Sequence, residues 1–331
     1  MKNFTYTRAV SPKDAIQKSV ADPDALFIGG GTNLVDRLKA FLDQPSQLID
    51  ISRLQMQSIE KLPNGALRVG ALVSNTALAD HPEVKRNYPM LSRSILAGAS
   101  QQIRNVATVG GNILQRTRCS YYYDTALSRN KRQPGSGCPA ATGINRMHAI
   151  LGASDQCVAV NPSDMCVALA AIDAVVEVEG TRGKRQIPFV NFHRLPDNTP
   201  QQDSNLQPGE LITAVILPPL PVAKSGVYLK LRDRTSYSFA LVSVAAAIEV
   251  TGDKIKDVRL AMGGVAHKPW RAMDAEKYLV GKSADIDSFT QAANIALQGA
   301  KPLAHNGFKI EMTKRAIRRA LMVSAQGGGI V

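Results

Sequence analysis

Residues 27–36 read FIGGGTNLVD, and their reading decides the fold. Ala25, Leu26, Phe27 and Ile28 make an apolar approach to Gly29, Gly30 and Gly31, after which Thr32, Asn33 and Leu34 begin a fresh apolar-periodic segment. That is the pattern of a strand, a tight turn and a helix start. Glycine accepts positive φ and has no Cβ to hold a ligand away from the backbone. Free amides at a helix start attract anions, so a phosphate is the natural guest. This stretch has neither G-x-G-x-x-G nor G-K-S/T, so it is neither a Rossmann fingerprint nor a P-loop. A second stretch, TVGGNILQ at residues 108–115, again runs through Gly110 and Gly111 to Asn112 and an apolar segment. Two such turns can cradle one pyrophosphate from two sides. On spacing alone, two unrelated strand–helix turns also account for the pattern.

The chain has 331 residues, 44% of them apolar, which is enough for two domains with full cores. Its net charge of +13 raises the question of nucleic acid. The cations are scattered, however, apart from runs at 116–132 and 309–319, and neither run has the interleaved aromatics of a stacking platform. The second run reads as a solvated face. The first, beside the cysteines, suits an acidic protein partner or an anionic cofactor. No membrane-length apolar run and no secretory leader are apparent. FALVSVAAAIEV, at 239–250, reads as a buried strand.

In order along the chain, an amphipathic helix is expected over 7–25 from a Ser11–Pro12 start, and another over 33–42. Strands are expected at 47–51 and 67–74, with helices at 75–81 and 90–99. Asp36 and Asp50 read as surface caps. Residues 116–157 lose periodicity and carry Cys119, Cys138 and Cys157. A long irregular loop in a compact domain has a function or is held by something other than a core. Cys166 sits on an apolar helix face and reads as a buried free thiol. That helix is capped at Ser163 and Asp164 and precedes a strand at 175–178. After a break near 221–226 come an antiparallel meander, helices at 272–280 and 286–298, and a basic helix at 308–326. The five histidines are isolated, and none is assigned a role.

GGGTNL, IRNVATVGGNILQ and NPSDM together resemble the FAD-binding middle subunit of the molybdenum hydroxylases, the xanthine dehydrogenase family. RTRCSYYYDT, NKRQPGSGC, LRDRTSYSFALVSVA and GGVAHKPWR extend the likeness over most of the chain, towards three-subunit bacterial aldehyde oxidoreductases. The resemblance implies an α+β fold: a two-part FAD-binding domain of the vanillyl-alcohol-oxidase/PCMH type over 1–222, then a smaller α+β domain with an antiparallel sheet over 223–331. It implies non-covalent FAD, held by Phe27, Ile28, Gly29, Gly30, Gly31, Thr32, Asn33 and Leu34, with Thr108, Gly111 and Asn112 opposite. Ser163, Asp164 and Lys230 would border the nucleotide and flavin portions. A Lys230 cation would favour the anionic reduced ring.

The resemblance also implies a 4Fe-4S cluster on the irregular loop, with Cys119, Cys138 and Cys157 at three ligand positions. The fourth falls near Arg129, where no cysteine stands. Asp124, water or Cys166 could complete the set, or the cluster is absent. The implied role is electron transfer. A large subunit would carry the molybdenum cofactor, a small one 2Fe-2S clusters, and this FAD would pass electrons to an external acceptor. The alternative is a stand-alone flavin oxidoreductase with its own small alcohol or aldehyde substrate. A nucleic-acid protein would explain the charge but not the paired turns. Location is expected to be cytoplasmic, or periplasmic by export with a partner.

Overall fold

The computed structural model describes residues 1–328. The chain opens with a small parallel sheet in which Thr5–Arg8 and Leu26–Ile28 flank Gln47–Asp50. Parallel neighbours require a crossover. Helix Pro12–Ala21 supplies the first, with Pro12 at its start and the Ser11 hydroxyl accepting from the Asp14 amide at 3.1 Å. Its Ala15 and Ile16 bury against Ile49 and Ala25.

A five-stranded antiparallel sheet follows, in the order Ile59–Lys61, Leu67–Gly70, Leu211–Leu217, Val175–Gly180, Gly183–Pro188. Against it lies helix Asp164–Ala171, in which every residue from Met165 to Ala171 is buried. A helix apolar on all sides belongs inside a core. This one shares one hydrophobic core with Val176 and Val215 of the five-stranded sheet and Ala245, Ala247 and Ala261 of the next. Cys166 is part of that core, and burial pushes its thiol up to about 12, as suits an inert free cysteine.

The last sheet is antiparallel, in the order Trp270–Arg271, Lys254–Gly263, Val242–Thr251, Val227–Leu231. In Val242–Thr251 the residues alternate between two cores. Ala245 and Ala247 meet the buried helix, while Val244, Ala246 and Ile248 meet helices Ile286–Ala296 and Phe308–Ala325. Coverage on both faces is why this strand reads as an unbroken apolar run. The α+β class with an antiparallel C-terminal sheet is as expected. Among the described residues no helix is long and apolar enough to cross a membrane.

Several local expectations are revised. The strand expected over 67–74 ends at Gly70, because Met56 comes so close that a Cβ there would lie 2.2 Å from its carbonyl oxygen. Leu72 then donates to that same oxygen at 2.9 Å and turns the chain toward the second glycine stretch. The helix expected over 33–42 stops at Lys39, and Phe41 takes φ +56°. Lys309 belongs to the run read as a solvated face, yet it is fully buried, donating to the carbonyls of His148 and Gly264. Burial pulls its pKa down to about 7.

Asp50 is no surface cap either. It is buried at the end of the central parallel strand and accepts from Tyr6 Oη at 2.5 Å, Arg8 Nε at 2.9 Å and Ser52 N at 2.8 Å. Burial alone would raise its pKa, but these bonds outweigh it and hold the carboxyl well below the usual range. Asp50→Asn is expected to lower stability by about 1–3 kcal/mol at pH 7, read from urea midpoints. A depressed folded pKa stabilises above the unfolded value and the benefit is lost as pH falls through the folded one. Wild type and variant should therefore converge below about pH 4. A gap that stays constant into acid would contradict this account.

Candidate dinucleotide cleft and cysteine loop

Gly29, Gly30 and Gly31 leave strand Leu26–Ile28 and lead into helix Leu34–Lys39. A Cβ on Gly30 would lie 2.0 Å from the carbonyl oxygen of Val106, and Gly31 has φ +70°. Val106 ends helix Gln101–Val106, just before the second turn. There the Thr108 hydroxyl accepts from the Gly111 amide at 3.1 Å and caps helix Val109–Ile113. A Cβ on Gly29 would touch the same hydroxyl, at 3.4 Å. The two glycine turns are thus neighbours, a point that their spacing left open.

Both turns line one cavity of about 590 Å³, a size suited to a cofactor. Phe27, Ile28, Gly29, Gly30, Gly31, Thr32, Asn33 and Leu34 border it, as do Thr108, Gly111, Asn112, Asp164 and Lys230. Ser163 lines a smaller adjoining cavity of about 220 Å³, which shares Asp164 and Arg118 with the first. The Ser163 hydroxyl donates to Asn112 Oδ1 at 2.6 Å and accepts from the Cys166 amide at 3.1 Å. Sequence reasoning missed Gln201, Asp203 and Glu210, which line the cavity beside Arg104 and Arg116 of the quoted runs. Arg116 Nε meets Asp203 at 2.6 Å, and Lys131 binds the same carboxylate. Asp203 lies in no motif read from the sequence and meets Arg116 and Lys131 only through the fold.

Asn33 Nδ2, Arg104 Nε, Arg118 Nε and Gln201 Oε1 are buried without a hydrogen-bond partner, and all four residues line the larger cavity. Native interiors seldom leave such atoms unpaired. A polar ligand with phosphates and ring heteroatoms would satisfy them, so the residues fit a dinucleotide cofactor.

Lys230 does not stand there as a free cation. Its Nζ lies 2.8 Å from Asp164 Oδ2 and 3.0 Å from the Ala97 carbonyl, and both side chains are nearly buried. Tyr228 Oη donates to the other Asp164 oxygen at 2.6 Å. Burial and the Asp164 charge raise the tyrosine well above its ordinary pKa, so it stays a donor. The cleft thus meets a neutralised ion pair at this point.

The cysteine loop departs from expectation. Cys119 and Cys157 are buried and Cys138 partly so, in a small core with Tyr122, Ala140, Val158 and Ala159. Arg129, only 1% exposed, sends Nη1 to Cys138 Sγ and Nη2 to Cys157 Sγ at 3.5 Å. Cys119 Sγ faces His148 Nε2 at 3.1 Å. The proposed fourth ligands are elsewhere: Cys166 lies in the main core, and exposed Asp124 caps the Ala126 amide. Among the described residues no group of three or more His, Cys, Asp or Glu side chains is gathered to hold a metal ion. A guanidinium fills the space between thiols, so the residues present do not fit a four-iron cluster.

Residues 2–220 match the family described as the FAD binding domain in molybdopterin dehydrogenase, and residues 227–323 the CO dehydrogenase flavoprotein C-terminal domain. The chain belongs to the FAD-binding subunits of the molybdenum hydroxylases. Among family members, it is 48% identical to the aldehyde oxidoreductase FAD-binding subunit PaoB of Escherichia coli, over 97% of this chain and 98% of that protein. It is 28% identical to the glyceraldehyde dehydrogenase medium chain of Sulfolobus acidocaldarius, over 92% and 91%. The fold is shared with quinoline 2-oxidoreductase of Pseudomonas putida 86, at TM-score 0.75, 24% identity and 99% coverage of both chains. Carbon monoxide dehydrogenase of Hydrogenophaga pseudoflava gives TM-score 0.77 at 22% identity, again over 99% of each.

Removing one partner of a buried ion pair leaves an uncompensated charge. Lys230→Met is therefore expected to cost roughly 3–5 kcal/mol, and Lys230→Met with Asp164→Asn clearly less. Thermal unfolding of both variants checks this; equal losses would contradict it.

Proposed function

We propose that this chain is the FAD-carrying electron-transfer subunit of a three-subunit, molybdenum-dependent aldehyde oxidoreductase. The observation that carries the reading is the 48% identity, along nearly the whole of both chains, to an aldehyde oxidoreductase FAD-binding subunit. The cleft supports it, with two touching glycine turns and unpartnered buried polar atoms beside them. The division into domains 1–222 and 223–331 is part of the proposal, and the two family matches on either side of it lend support.

In this reading the amides and side chains of Gly29, Gly30, Gly31, Thr32 and Asn33 take the pyrophosphate together with Thr108, Gly111 and Asn112. Phe27, Ile28 and Leu34 exclude water behind them. Ser163, Asp164 and Lys230 close the opposite side, where the paired Asp164 and Lys230 orient the cofactor without adding net charge. When bound, FAD accepts electrons and releases them in ones or twos. A large molybdenum-cofactor subunit and a small 2Fe-2S subunit would supply those electrons, and an external acceptor would take them. The proposal includes no 4Fe-4S cluster on Cys119, Cys138 and Cys157, because Arg129 stands between thiols. Assembly in the cytoplasm, or export to the periplasm with a partner, both accord with it. No observation favours the stand-alone oxidoreductase.

The assembled complex should show flavin absorbance that bleaches on adding an aldehyde. Gly30→Ala pushes a methyl into the Val106 carbonyl, and should cut flavin per chain at least tenfold. A wild-type complex without flavin, or a Gly30→Ala complex with full flavin, would overturn the reading.

A further inference from the structure

A loop poor in apolar residues needs another source of order, and residues 129–131 provide one. Arg129, Asn130 and Lys131 are consecutive, polar and almost wholly buried. Arg129 and Asn130 reach the same two segments, and Lys131 a third. The Arg129 guanidinium bridges Cys138 Sγ and Cys157 Sγ. Asn130 accepts from the Gly137 amide at 2.7 Å through Oδ1, and its Nδ2 donates to the Gln156 carbonyl at 3.1 Å. Lys131 Nζ reaches the Pro200 carbonyl at 2.8 Å and the Asp203 carboxylate at the cleft wall. The segments around residues 137 and 157 are therefore fastened twice, side by side, by Arg129 and Asn130.

We infer that this loop is metal-free, with the Arg129 guanidinium as the cross-link between the cysteine-bearing segments. A guanidinium suits that role because it is planar, permanently charged, and directs several N–H donors from one fixed fork. It cannot ligate iron, and at this position it occupies the space between two of the sulfurs that a cluster would need as ligands. The consequence is functional. Electrons would reach the FAD of this subunit without a relay in its own loop. The inference rests on the FAD-subunit reading only for the choice of the assembled complex as the sample.

The test uses that complex, purified with its partners, and measures iron and flavin per chain. Cys138→Ser changes one partly exposed atom and should leave iron unchanged; loss of about four irons would overturn the inference. Arg129→Met should expose the loop, seen as at least a tenfold faster proteolytic cut between residues 116 and 157 in the folded complex. A loop still as protected as in wild type would equally overturn it. Should Arg129→Met fail to assemble, Arg129→Lys, which keeps the charge and loses the fork, gives the same readout. Absent flavin would count against the proposed function and leave the iron comparison standing.

Discussion

The carboxylate of Asp164 is the point on which the two halves of the molecule are registered. It begins a helix whose every following residue is buried, between the five-stranded sheet and the C-terminal sheet. Its two oxygens accept from Lys230 and Tyr228, both on the C-terminal edge strand. A buried charge is tolerable only when paired and hydrogen-bonded. Here that condition is met only if strand Val227–Leu231 docks at one register against the helix start. Because Lys230 and Asp164 also border the cleft, the docking that satisfies the charge shapes the cofactor cavity.

The other wall follows from close backbone approach. Gly30 lies against the Val106 carbonyl and Gly29 against the Thr108 hydroxyl, so the two turns meet without intervening side chains. Backbone of both turns then lines the cavity with little side chain in the way. Family membership and cavity agree: the cleft is built from both matched regions, the first contributing the glycine turns and the second Lys230.

In the irregular loop three cysteines converge on one small core, and an arginine side chain stands between two of them. Burying polar side chains in such a core costs desolvation, offset here by hydrogen bonds to neighbouring segments from Arg129, Asn130 and Lys131. The same run reaches Asp203, which Arg116 and Lys131 share, so the loop is continuous with the far wall of the cleft.

By itself, the sequence determined the family and the type of most elements, though not where each one ends. Three glycines between an apolar approach and a fresh apolar-periodic segment mark a turn and a helix start, the motifs around both turns are contiguous, and 239–250 reads as a buried strand. These are properties of adjacent residues, and adjacency is what a sequence displays. Only the tertiary structure decided whether the turns touch, whether Lys230 is free or paired, and what stands among the cysteines. It also decided that Asp50 and Lys309 lie inside, since Tyr6 and Arg8 are over forty residues from the former and His148 far from the latter. Charges read alone look solvated; their burial depends on distant partners, and those are fixed by packing.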